Sequence, residues 1–258
     1  MTAQVAQFYD QLAADYHFIF ADWKQSVQRQ GSILSNLIAL LKGAPPLTVL
    51  DCTCGIGTQA IGLALRGYTV HATDLSAAAV ERARIEAANM GAALTFGVAD
   101  LLQLDRQVDG QFDLVQSFDN ALAHFLTDSD FQTAVRNMAA KTAPGGLIMA
   151  SIRDYDRLLQ EKPRSTPPQV SASPDGRRIS FQVWDWLGDG QSYTLNHFTV
   201  KQVGEGWDTT CRVTRLRAWR RAEVSLIFRQ AGLTDIEWYL PEASGFYQPV
   251  VCARKGMK

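Results

Sequence analysis

The segment best suited to chemistry is Leu50-Asp51-Cys52-Thr53-Cys54-Gly55-Ile56-Gly57-Thr58-Gln59-Ala60. An apolar run ends at an acid, two glycines follow, and a helix-forming stretch begins. Glycine lets the backbone approach a ligand closely and reach torsions that other residues resist. A helix N-terminus then presents free N–H groups to a negative group on that ligand. Gly55, Gly57 and Ala60 also satisfy the looser dinucleotide pattern G-x-G-x-x-A.

Alone, that turn suits a nicotinamide, a flavin or an S-adenosyl cofactor. Three acids further along narrow the choice. Asp74 ends a strand read over 68–74, where a carboxylate can accept both ribose hydroxyls. Ala99-Asp100-Leu101 ends a third strand, where a carboxylate can accept a proton from an adenine amine. Asp119-Asn120 follows a fourth. All three lie at the carboxyl ends of successive strands, the edge where doubly wound sheets bind ligands. Singly, each would be an ordinary helix cap. Arg153 lies at the end of a fifth strand, and its planar guanidinium can hold a carboxylate by two parallel hydrogen bonds. The plainer role for it is surface pairing with Asp154, Asp156 or Glu161.

The elements that must position these residues are legible in outline. The first forty residues read as helix, from the recurrence of Ile33, Leu34, Leu37, Ile38 and Leu41, and Gly43 with Pro45-Pro46 stops the run. Strands at 47–51, 68–74, 94–99, 112–118 and 147–152 alternate with helices at 58–66, 76–89 and 128–143. Such alternation predicts a parallel, doubly wound sheet with right-handed crossovers. The rhythm breaks at Arg153. Residues 161–176 read as a Pro- and Ser-rich loop. Residues 179–186, 193–203 and 209–216 read as antiparallel strands. A helix at 221–231 and strands at 234–240 and 248–253 close the chain.

Composition excludes more than it names. The chain has 258 residues, a formal net charge of −1 and 47% hydrophobic residues. No global positive field recruits nucleic acid or anionic membrane. No apolar run approaches the roughly 20 residues that cross a bilayer, and the N-terminus lacks the pattern of a signal peptide. A cytoplasmic enzyme with a small-molecule partner, and neither a nucleic-acid nor a membrane partner, is the expectation. Cys52, Cys54, Cys211 and Cys252 are too few and scattered for a disulfide scaffold or a zinc site, so no metal is expected. The basic stretch from Arg212 to Arg221 reads as a solvated face.

Taken as a set, Asp51-Cys-Thr-Cys-Gly-Ile-Gly57, Asp74-Leu75-Ser76, Val98-Ala99-Asp100, Phe112-Asp-Leu-Val115 and Pro144-Gly-Gly146 resemble the class I S-adenosylmethionine-dependent methyltransferases. The resemblance spans about residues 46–153. It implies an α/β fold with a Rossmann-like seven-stranded sheet, its last strand antiparallel. It implies S-adenosyl-L-methionine as cofactor and S-adenosyl-L-homocysteine as its product. Gly55 and Gly57 would lie near the methionine moiety, Asp74 with Leu75 and Ser76 on the ribose, and Asp100 with Ala99 and Leu101 on the adenine. Asp51, Cys54, Thr58, Asp119 and His124 would complete the cofactor site.

Asp119-Asn-Ala-Leu-Ala-His124, Ile152-Arg-Asp-Tyr-Asp156, residues 195–200 and Gly245-Phe-Tyr-Gln-Pro249 are similar to segments of the glycine N-methyltransferases and glycine/sarcosine methyltransferases. That likeness implies Arg153 on the substrate carboxylate and Asn120 beside the transferring methyl. Tyr155 and Tyr247 would line the substrate site. Tyr9, Tyr16, Trp23 and Arg29 would close an N-terminal segment over the cofactor. Relatives in this family assemble, so a homo-oligomer is possible. The chain departs from the family where His197-Phe198 stands in place of a tyrosine. Trp184 and Trp186, with Gln182, alternate along one strand face and suit either a cationic amine or core packing.

The expected division is an N-terminal helical lid over 1–45, a cofactor-binding core over 46–153 and 219–258, and a β-rich, substrate-side insertion over 154–218. The expected activity is methylation of a small molecule, chiefly N-methylation of an amino-acid-like amine such as glycine or sarcosine. O- or C-methylation of another carboxylate-bearing metabolite is the alternative, followed by an NAD- or FAD-dependent oxidoreductase or a non-catalytic cofactor-binding relative.

Overall fold

The computed structural model describes residues 3–173 and 176–257. Helix α1 (Ala3–Leu12), a 3-10 turn (Tyr16–Ile19) and α2 (Trp23–Leu41) open the chain. The sequence reading of one helical run is thus corrected. Asp22 has extended torsions, and its carboxylate accepts the Gln25 N–H at 2.9 Å, so α2 starts afresh there. Asp15, in the gap, accepts hydrogen bonds from Lys201 at 2.6 Å and Arg212 at 2.9 Å. A continuous helix would not deliver it to them.

The chain then alternates through β1 (Thr48–Asp51), α3 (Thr58–Ala64), β2 (Thr69–Asp74), α4 (Ala77–Asn89), β3 (Thr95–Val98), α5 (Leu104–Gln107), β4 (Phe112–Ser117), α6 (Asp128–Lys141) and β5 (Thr142–Ser151). After α7 (Tyr155–Glu161) come β6 (Gln169–Ser173), β7 (Gly176–Trp186), β8 (Ser192–Val203) and β9 (Gly206–Arg217). The chain closes with α8 (Arg221–Gln230), β10 (Leu233–Tyr239), α9 (Pro241–Ser244) and β11 (Val250–Lys255).

Seven strands form one sheet in the order β10-β11-β5-β4-β1-β2-β3, and four form another in the order β6-β7-β8-β9. The last strand, β11, runs antiparallel to both β10 and β5, while the other pairs of the large sheet are parallel. This is the expected Rossmann-like sheet with its antiparallel insertion. Two strand assignments differ from the sequence reading, and the short helices α5, α7 and α9 are additions to it. Strand β6 lies inside the expected loop, paired with β7 from Gln169 to Ser173. Pro144-Gly-Gly146 does not precede β5 but lies within it. The β4–β5 register shifts between Phe112 and Leu114, and Gly145 takes φ +68°, so the triplet is a bulge in a strand.

Period-two alternation divides the core. Val49, Leu114, Leu147 and Met149 pack with Leu34, Ile38 and Leu63 of α2 and α3. Their neighbours Leu50, Val115, Ile148 and Ala150 pack on the other face with Phe131, Val135 and Met138 of α6. Trp184, Tyr193, Leu195 and Leu216 of the small sheet join that second cluster, so one apolar core ties the two sheets together. No helix among the described residues is long and apolar enough to cross a membrane.

Helices α2 and α3 meet backbone to backbone. A Cβ on Gly62 would lie 2.7 Å from the Val27 carbonyl oxygen and 2.9 Å from Gly31 Cα. The contact presses α3, and with it the glycine turn ahead of it, against the N-terminal segment. Gly62→Ala should therefore lower the free energy of unfolding in urea titration by about 3 kcal/mol, the upper end of ordinary overpacking.

Candidate active site

The carboxyl edge of the large sheet carries two adjoining hollows. A tight cleft of about 30 Å³ is lined by Cys54, Gly55, Thr58, Asp74, Leu75 and Ala99, among others. A chamber of about 1020 Å³ lies between the N-terminal segment and the small sheet. Tyr9, Tyr16, Asp119 and His124 line both and mark the junction.

The cleft is built by the strand–turn–helix at β1–α3. Gly55 (φ +52°) and Gly57 (φ +91°) both occupy the left-handed region. The Gly55 N–H donates to Asp74 Oδ2 at 2.8 Å, and Ser76 N–H donates to Oδ1 at 2.9 Å. Burial raises the Asp74 pKa above the ordinary carboxylate value, against the pull of those two N–H groups. A Cβ on Gly55 would stand 3.0 Å from the Tyr16 ring, so side chains of the N-terminal segment roof the turn. Asp10 fastens that segment to α4. Its carboxylate accepts from Ser76 Oγ at 2.5 Å and from the Ala78 N–H at 3.2 Å.

The chamber is organised by Arg153. Its Nη1 donates to Tyr193 Oη at 2.8 Å and its Nη2 to Gln182 Oε1 at 2.9 Å. The guanidinium lies 4.5 Å from the Trp184 ring centroid. Surface pairing is ruled out: Asp154 and Asp156 engage Arg221, and Glu161 engages Arg157. Asn120 ties the strand ends together. Its Oδ1 accepts the Arg153 backbone N–H at 3.0 Å, and its Nδ2 donates to Tyr155 Oη at 2.9 Å. Asp119 (φ 57°) and Asn120 (φ 69°) are consecutive left-handed residues, a strained pair kept in place by these bonds. Asp119 accepts from Gln59 Nε2 at 2.9 Å and from the Tyr247 hydroxyl.

Of the residues expected at the site, Tyr9, Tyr16, Arg29, Cys54, Gly55, Thr58, Asp74, Leu75, Ala99, Asp119, Asn120, His124, Arg153 and Tyr247 line one hollow or both. Eight do not. The Trp23 indole is buried beneath α3 and donates to Thr58 Oγ1 at 2.9 Å. Asp51 lies under the turn, accepting from Gln116 Nε2 at 2.9 Å and Thr53 N–H at 3.3 Å. Gly57 supplies the left-handed start of α3, and Ser76 caps α4 by accepting the Ala79 N–H at 3.0 Å. Asp100 accepts the Leu102 N–H at 2.9 Å, and Leu101 is core. Tyr155 is fully buried between Asn120 and Tyr193. Trp184 faces the protein's own Arg153 rather than the chamber. His124 orders Tyr9: its Nε2 meets Tyr9 Oη at 2.8 Å. Burial, helped by Arg153, pushes its pKa down to about 3, so the imidazole is neutral.

The sequence reading missed Tyr193, Gln59 and the anchoring role of Gln182. Tyr193 lies on the same strand face as His197, two same-face positions earlier. A tyrosine hydroxyl is therefore present on the insertion although position 197 is a histidine. Alternation along β8 was the available signal.

A family profile described as a methyltransferase domain matches residues 49–146. Over those residues the chain is similar to methyltransferase domains. Over 139 residues it is 31% identical to the glycine/sarcosine N-methyltransferase of Parasynechococcus marenigrum, covering 54% of this chain and 48% of that protein. Over 159 residues it is 31% identical to the mouse (Mus musculus) glycine N-methyltransferase, covering 57% and 50%. The matched stretch thus spans about half the length of these relatives. The methyltransferase fold extends over nearly the whole chain. An S-adenosylmethionine-bound amino pentose methyltransferase from Micromonospora echinaspora superposes with a TM-score of 0.73 at 17% identity, covering 94% of this chain and 95% of that one.

The residues present fit such a cofactor. Asp74 offers a carboxylate at the end of β2, where a ribose would lie. On the chamber wall, Gln30 Nε2 is buried without a partner among the described residues, and Arg29 lines the same wall. Two such donors suit the cofactor's own carboxylate.

Asp51 generates a pH test. Burial pushes its pKa from 3.8 up to about 7, so the fold favours the protonated acid. Its contribution to stability is full below the unfolded value of 3.8 and is lost as pH rises through about 7. Asp51→Asn, which keeps the shape without the charge, should gain on the wild type as pH rises. Gln116 Oε1, buried without a partner among the described residues, can accept from the new amide after a side-chain rotation. Thermal melts should show the variant ahead by about 2 kcal/mol at alkaline pH, with the gap closing near pH 4. A gap constant with pH would refute the assignment.

Proposed function

We propose that the chain is an S-adenosylmethionine-dependent N-methyltransferase of a small amino-acid-like amine, the class that includes glycine and sarcosine. In this reading residues 1–45 act as lid, 46–153 and 219–258 as cofactor core, and 154–218 as the substrate-side insertion. The observation that carries it is Arg153, held in a fixed orientation on the chamber wall next to the junction with the cofactor cleft. Two N–H groups of its guanidinium are taken by Tyr193 and Gln182. The others have no hydrogen bond among the described residues and can receive a carboxylate, whose planar geometry the fork matches. The relatives named as glycine and glycine/sarcosine N-methyltransferases support the same substrate class.

S-adenosylmethionine, when bound, supplies a methyl group already activated on a sulfonium. The protein's own task is then placement. Arg153 anchors the carboxylate end of the acceptor, so that its amine points back toward the Asp119–Asn120 turn. Asn120 is a positioning residue, acting through the Arg153 backbone and Tyr155. Tyr9 and His124 form the wall between cleft and chamber. The acceptor nitrogen must arrive deprotonated, and the neutral His124 adds no positive charge against it. Asp10 and Asp15 hold the N-terminal segment across the site, which excludes water.

Mass spectrometry after incubation with isotopically labelled S-adenosylmethionine and glycine, sarcosine or dimethylglycine tests the reaction class directly. Arg153→Ala should lower kcat/KM for an amino-acid acceptor at least 100-fold while calorimetric S-adenosylhomocysteine binding stays within about threefold. Unchanged turnover by the variant would remove the anchor. Asp74→Asn should do the converse, weakening S-adenosylhomocysteine binding at least tenfold, and wild-type protein that bound NAD in its place would overturn the cofactor assignment.

A further inference from the structure

The small sheet presents a polar inner face to the chamber. Ser180 and Gln182 on β7, His197 on β8 and Thr214 on β9 all line it. Gln182 and His197 are direct cross-strand partners, and Thr214 is paired with Leu195 one same-face step from His197. Ser180, His197 and Thr214 are 6%, 3% and 3% exposed.

Their hydrogen bonds are unlike the rest of the site. Arg153, Tyr193, Gln182, Tyr155 and Asn120 are joined at 2.8–3.0 Å. Ser180 Oγ and His197 Nε2 are 3.4 Å apart, as are Thr214 Oγ1 and His124 Nδ1. These lie beyond the usual range of protein hydrogen bonds. Among the described residues the side chains of Ser180, His197 and Thr214 have no other hydrogen bond, and Gln182 Nε2 donates to none. Such long contacts on a cavity wall leave these groups able to turn to a polar partner in the cavity.

The chemistry of the cluster selects that partner. Two hydroxyls and one imidazole offer both donors and acceptors, and Gln182 adds donors. Burial and the nearby Arg212 push the His197 pKa down to about 4, so the imidazole is uncharged. A carboxylate would use only the donors, and an alkyl chain would leave every group unpaired at a cost. Hydroxyl groups, which donate and accept, satisfy the set.

The geometry points to an acceptor with a hydroxylated arm: an amine anchored through a carboxylate on Arg153, whose arm lies on Ser180, Gln182, His197 and Thr214. This rests on the N-methyltransferase reading and narrows it away from glycine itself.

The test uses the full chain with S-adenosylmethionine and three acceptors: glucosaminate (an α-amino acid with a polyhydroxylated chain), norleucine (an apolar chain) and glycine. Glucosaminate should exceed both others at least tenfold in kcat/KM. His197→Phe should reduce the ratio of glucosaminate to glycine turnover at least tenfold, mainly through KM, and His197→Gln, which keeps a donor and an acceptor, should restore most of it. Calorimetric S-adenosylhomocysteine binding checks that each variant folds. Glycine or norleucine methylated as well as glucosaminate overturns the hydroxylated arm and leaves the N-methyltransferase reading standing. Glucosaminate that binds the S-adenosylhomocysteine-loaded protein more tightly than norleucine, without transfer from S-adenosylmethionine, supports the arm site and overturns the reaction. Absence of both binding and turnover of glucosaminate overturns the arm site.

Discussion

A guanidinium removed from bulk water needs partners, and meeting that need joins the two halves of this protein. Arg153 leaves the end of β5 in the large sheet. Its partners Tyr193, Gln182 and Trp184 all come from the small one. Tyr155 and Asn120 extend the same network back to β4. A charge so placed is strongly destabilising if any one partner is lost, so the mutual placement of the sheets and the orientation of the arginine are a single problem. Once it is solved, the chamber between the sheets has a fixed floor, a fixed charge and a fixed distance from the cofactor edge.

The parts of the site that depend on local torsions were legible in the sequence. Gly55 and Gly57 stand where left-handed backbone is required, and Asp74 stands at the end of a strand recognisable by its β-branched run. Arg153 was legible for a different reason: it closes the fifth apolar strand, where the alternating pattern stops. The misplaced elements all depend on distant partners. Nothing local in Gln169–Ser173 announces a strand, because its edge is supplied by β7. The break before α2 depends on Asp15 reaching Lys201 and Arg212, nearly 200 positions away. Pro144-Gly-Gly146 is a helix stop in isolation and a bulge only once β4 lies beside it.

Side-chain direction was the harder half. Asp100, Asp51 and Trp184 all sit at the expected places along the chain, yet each is turned into structure. Asp100 accepts the Leu102 N–H, Asp51 takes the Gln116 amide, and Trp184 lies under Arg153. Spacing fixes the edge on which a residue stands, not which neighbour claims its polar atoms. The basic stretch shows the same rule. Arg212, Arg217 and Arg221 are partnered by Asp15, by Asp128 and Glu223, and by Asp154 and Asp156, so they act as internal staples.

The N-terminal segment has a kinetic meaning. Tyr9 and Tyr16 fill the seam between cleft and chamber, and the segment that carries them is pinned at Asp10 to the end of α4 and at Asp15 to the small sheet. The two tyrosine rings stand between the two hollows. Lifting the segment away from the cleft breaks both anchors, which makes that motion a local unfolding event and not a side-chain flicker. The cost of that motion is set by two carboxylate anchors that do not themselves line the cleft.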